Sequence, residues 1–142
     1  MRFSHCFFIC FIFAFFGCNK SKKAIILDDK KDSVAFYLRN AEDSKLSFEE
    51  RKNFGNKALS ILIKQPNDSL NRENIFKVSY NFFNINEWES LKKVAKIGYK
   101  RACDVEDLDH LAKAQRNLGL YFESISQNDS AFLYYVKAEK IY

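Results

Sequence analysis

Proline occurs once and glycine four times in 142 residues, so helix breakers are scarce. Architectures of short strands and tight turns need such residues at close intervals, and an all-α chain is the expectation. Histidine occurs only as His5 and His110, and neither stands in a motif with a nucleophile. No glycine-rich phosphate loop, paired metal-ligand motif or nucleophile elbow is present. The expectation is therefore a chain without catalytic residues, metal or cofactor, with His110, which follows Asp107 and Asp109, exposed at a helix start. Cysteine is also sparse: Cys6 and Cys10 lie in an apolar run, Cys18 follows it, and Cys103 is left without a partner, which excludes a disulfide framework. A strong charge of one sign is missing as well, since 23 Lys and Arg face 18 Asp and Glu for a net +5. Part of that excess is local, at Lys20, Lys22, Lys23, Lys30 and Lys31. It suits a solvated tether beside anionic head groups better than nucleic-acid binding.

Hydrophobicity is concentrated at the start, where Met1-Arg2 precedes an unbroken apolar run from Phe7 to Phe16. The pattern is that of a secretory signal. The uncharged stretch from Phe3 to Gly17 is shorter than the roughly 20 residues a spanning helix needs. The following Phe15-Phe16-Gly17-Cys18 resembles the lipobox of bacterial lipoproteins. That resemblance implies processing before Cys18 and a diacylglycerol on its sulfur; the alternative is that Cys18 is one more small residue after the signal. Residues 1–17 are thus read as a lipoprotein-type signal peptide and 18–31 as a lipid-anchored polar linker. The expected location is the bacterial cell envelope, membrane-anchored and extracytoplasmic.

From Asp32 onward apolar residues recur at three- and four-residue spacing, in segments separated by short polar breaks such as Gln65-Pro66-Asn67-Asp68 and Asn84-Ile85-Asn86. Six helices are expected. Ser47-Phe48-Glu49-Glu50 forms a capping box, and Asn86 with Glu89, and Asn128 or Asp129, are candidate caps for two others. Sliding the chain on itself by forty residues aligns Leu38 with Val78 and Leu118, Glu42 with Phe82 and Phe122, Gly55 with Ala95 and Tyr135, and Ala58 with Gly98 and Ala138. The series Arg51, Leu91, Ala131 matches least well. Three repeats follow, at about 32–71, 72–111 and 112–142.

In the last repeat Leu118-Gly119, Phe122, Ala131, Tyr135 and Ala138 resemble the tetratricopeptide signature. The forty-residue period exceeds the family's usual thirty-four, and Gln115 stands where the family often has Trp. The resemblance implies three antiparallel helix pairs stacked as a short right-handed solenoid. Gly119, Ala131 and Ala138 would sit where helices approach closely, Phe122 and Tyr135 would fill the gap, and Gly98 and Trp88 would pack the preceding repeat. Its function would be binding of a protein or peptide partner in the groove formed by the first helix of each pair. The candidate contacts there are Tyr37, Lys77, Tyr80, Asn81, Asn117 and Tyr121, each of which is otherwise plain solvated surface. Asp32-Ser33, Asp68-Ser69 and Asp129-Ser130 fit helix caps better than the glycan acceptors they resemble. The final helix, Ala131 to Tyr142, is apolar without a polar capping helix after it. That leaves a truncated longer protein, or an open face for a partner or for self-association. The arrangement also resembles the start of tetratricopeptide-containing bacterial sensor histidine kinases, where the repeats sense or dock ahead of a kinase.

Overall fold

The computed structural model describes residues 33–141. The signal segment, Cys18, the linker to residue 31 and Asp32 lie outside the described residues. Within them there are six helices and no strand: α1 (33–42), α2 (Phe48–Leu62), α3 (Ser69–Asn84), α4 (Trp88–Cys103), α5 (Leu108–Ser124) and α6 (Asn128–Glu139). None of these is long and apolar enough to cross a membrane. The expected repeat boundaries at 71/72 and 111/112 fall inside the first turn of α3 and of α5. The helix pairs are set by the turns before those helices.

Local chemistry sets each start and stop. Ser47 caps α2 in a full capping box, its hydroxyl accepting from the Glu50 N–H while the Ser47 N–H donates to Glu50 Oε2 at 2.8 Å. Asp68 caps α3 through the Asn71 N–H, and Asp107 caps α5 through the His110 N–H. The expected caps of α4 and α6 are corrected: the cap positions are Glu87 and Gln127, and neither makes a side-chain cap bond. Asn86 instead closes α3 in the left-handed region, with φ 56°. Glu106 and Ser126 do the same for α4 and α5, with φ 54° and 60°. Each is followed by an N–H that reaches back to the last turn: Glu87 to Phe82 O, Asp107 to Ala102 O and Gln127 to Phe122 O, all at 2.9 Å. These are Schellman closures built without glycine. They recur every twenty residues, so helix plus turn is a twenty-residue unit and two units make the forty-residue repeat.

Short links make sequential helices antiparallel neighbours. A Cβ added at Gly55 of α2 would lie 3.1 Å from the Phe82 ring near the end of α3. Tyr121, late in α5, bonds Glu89 at the start of α4. Helices also touch the next but one: Lys52 pairs with Glu87 at 2.9 Å, Glu73 with Lys113 at 3.1 Å, and Ser79 accepts from Asn117 at 2.9 Å. The core runs along the stack through Val34, Leu38, Leu59, Leu62, Ile75, Val78, Phe82, Leu91 and Val94, all buried.

Candidate partner-binding face

α3 is the element that shapes the face. Ile75, Val78 and Phe82 turn into the core, which leaves Leu70, Asn74 and Lys77 in one row at helical spacing on another side. With Val34, Ala35, Leu38, Arg39 and Glu42 of α1 they line a groove of about 670 Å3, floored by Lys64, Gln65 and Pro66. The floor is held in place: the Asn71 amide donates to Pro66 O at 2.9 Å, and Arg72 Nη1 donates to Asn67 O at 2.8 Å. Arg101 of α4 closes the end of α2 from behind, donating to the Leu62, Ile63 and Gln65 carbonyls at 3.0–3.2 Å. Leu70, 54% exposed, is the apolar anchor of a wall that otherwise carries both signs of charge. Such a groove suits a peptide with one apolar side chain and mixed charges.

The six residues expected at a partner face divide. Lys77 is exposed and lines the groove. Tyr80 is 53% exposed, stacked on Phe83 with centroids 6.2 Å apart. Tyr37 is half-buried beside Phe36 and Phe54, with Lys57 Nζ 5.9 Å above its ring. The other three are interior. Asn81 is 2% exposed, and its amide nitrogen and oxygen have no hydrogen-bond partner. Asn117 is spent on Ser79, a bond that ties α5 to α3. Tyr121 is buried, its hydroxyl donating to Glu89 at 2.8 Å and accepting from Lys92 at 2.9 Å, with Lys92 Nζ 4.4 Å from the ring centroid. Helical spacing alone puts these side chains on one face; the neighbouring helices then cover part of it. Leu70, Asn74, Arg39 and Glu42 were not expected in the groove. For Leu70 and Asn74 the signal is the row 70, 74, 77 on a different side of the helix from the apolar row 75, 78, 82; Arg39 and Glu42 of α1 belong to neither row.

The repeat-packing residues fall where helices meet. Leu118, Gly119, Ala131 and Ala138 are buried, and Trp88 is half-buried with its ring edge on Phe83. A Cβ at Gly119 would lie 2.5 Å from Tyr135 Cε1, whereas one at Gly98 would meet only Ile75 at 3.7 Å and Ala114 at 3.9 Å. Phe122 stacks on Tyr134 at 5.3 Å.

His110 is not exposed, contrary to expectation; it is buried where α5 begins against α3. Its Nδ1 lies 2.8 Å from Asp107 Oδ2 and its Nε2 3.2 Å from Glu73 Oε2. Arg72 Nε pairs with the same Asp107 oxygen at 2.7 Å, and Lys113 pairs with Glu73 and Asp109. Burial works against the Asp107 carboxylate, but the His110 N–H, the His110 ring and Arg72 together hold it at about 2. Glu73 is lowered against burial by Lys113 and His110, and Lys113 is raised against burial by Asp109 and Glu73. Among the described residues both ring nitrogens face carboxylates, Asp107 at the start of α5 and Glu73 on α3, and the cluster clasps the two helices together. Among the described residues, no group of three or more His, Cys, Asp or Glu is placed to hold a metal ion. No protein-family model, curated protein or solved structure matches the chain.

Proposed function

We propose that this chain is a tetratricopeptide-type interaction module, a short right-handed solenoid of three helix pairs, exported and anchored in the bacterial envelope through Cys18. It holds a protein or peptide partner in the groove between α1 and α3 and does no chemistry on it. The observation that carries this reading is the groove itself, set between the first helices of two consecutive forty-residue repeats and walled by Leu70, Asn74 and Lys77. The expected signature residues support the family assignment, since Tyr135 fills the space that Gly119 leaves. A rigid floor and pre-formed walls favour binding with little reorganisation.

The test is site-specific photocrosslinking in intact cells of the host. A photoreactive amino acid replacing Lys77 should give a discrete adduct, while the same residue at Asn56, exposed on α2, gives none. Absence of an adduct from position 77, or identical adducts from both positions, overturns the groove assignment.

A further inference from the structure

On the α4 and α6 side of α5 lies a second cleft, of about 250 Å3, lined by Lys96, Tyr99, Gln115, Leu118, Tyr134 and Lys137. Gln115 is 7% exposed, and its Oε1 is sealed from solvent without a hydrogen-bond partner. Forty residues earlier, at the same place in the repeat, stands Ile75, 1% exposed. An apolar side chain therefore satisfies the packing at this position, and an unpaired buried amide oxygen burdens the fold with no structural return. In the same cleft Lys96 and Lys137 are exposed, and neither is ion-paired among the described residues. Lys137 Nζ lies 5.3 Å from the Tyr134 ring centroid, and Tyr134 is steadied by its stack on Phe122.

The geometry points to a binding site for a small aromatic carboxylate that also carries a neutral hydroxyl or N–H donor. The carboxylate sits between the two ammonium groups, the ring against Leu118 and the edge of Tyr134, whose faces Phe122 and Lys137 cover, and the donor on Gln115 Oε1. Glutamine's terminal torsion is soft, so a partial turn, short of one that would seal the NH2 group in its place, opens the oxygen to an arriving donor. The cleft is separate from the groove of α1 and α3 and does not depend on the partner-binding role assigned to it.

The probe is para-hydroxyphenylacetate, with phenylacetate as the match lacking the donor, titrated into the isotope-labelled full chain in detergent and followed by amide resonances. The expected result is a saturable shift of the Gln115 side-chain amide, with phenylacetate binding about tenfold more weakly for loss of one hydrogen bond. Substituting Lys96→Ala together with Lys137→Ala should weaken the hydroxylated probe by about tenfold or more at unchanged melting temperature. Gln115→Leu should erase the difference between the two probes and keep or raise the melting temperature. No saturable shift at Gln115, equal affinity for both probes, or a lower melting temperature in Gln115→Leu overturns the proposal. The last outcome would mean that the amide is used within the fold.

Discussion

Two glycines on neighbouring helices have opposite reasons to be there. Gly119 is a steric requirement, because any side chain there runs into the Tyr135 ring, which the hydroxyl's bond to Glu123 holds in place. Gly119→Leu should lower stability by about 3 kcal/mol through overpacking, and an unchanged melting temperature would remove the basis for the signature assigned to this repeat. Gly98 leaves room for a Cβ in ordinary contact with Ile75 and Ala114, and sits mid-helix in α4. Gly98→Ala should therefore stabilise by about 1 kcal/mol, the difference in helix propensity, as read by denaturant midpoint. Spacing along the chain puts both in one class, since it identifies that a small residue recurs but not how near its neighbour comes. Gln115 and Arg101 show the same limit. A polar residue at an apolar position can be noticed along the chain, but its missing partner is a fact of three dimensions. The carbonyls that Arg101 caps lie 36 to 39 residues away from it.

Helices and their period were legible because apolar spacing and the scarcity of breakers are local properties. Their closures were less so. Asn, Glu and Ser all occupy the left-handed position, and only Asn has an intrinsic tolerance for it. Glu106 thus carries no turn signal, Ser126 only that of the polar break Ser126-Gln127-Asn128, and Asn86, expected to open the next helix, closes the last. The clasp at the start of α5 was half-legible: Asp107 stands at a cap position, but Glu73 and Arg72 come from α3, more than thirty residues earlier. Its effect on pH stability has a definite sign. The folded state holds the Asp107 carboxyl at about 2, below its ordinary value near 4, so its contribution is complete above that ordinary value and is lost as pH falls toward 2. The amount is on the order of 1 to 2 kcal/mol after allowing for partial solvent screening. Asp107→Asn should flatten the acid limb of the stability profile between about pH 4 and 2, and an unaltered limb would show that the clasp carries no such linkage.

Among the described helices, packing lies mostly between neighbours in the chain. Among helices α2 to α6, α3 packs substantially on α2, α4 and α5, whereas α6 does so on α5 alone. Native-state hydrogen exchange should therefore release the α6 amides well before those of α3, and simultaneous exchange of both would indicate a single cooperative block. The side-chain hydrogen bonds that reach from one helix pair to the next join residues 29 to 40 positions apart in the chain. A structure held this way has no centre around which everything else must be arranged. Each twenty-residue unit answers only to its near neighbours, so a helix pair can be gained or lost by duplication or deletion without re-solving the rest. Length then becomes a quantity that selection can adjust to the reach required of the molecule.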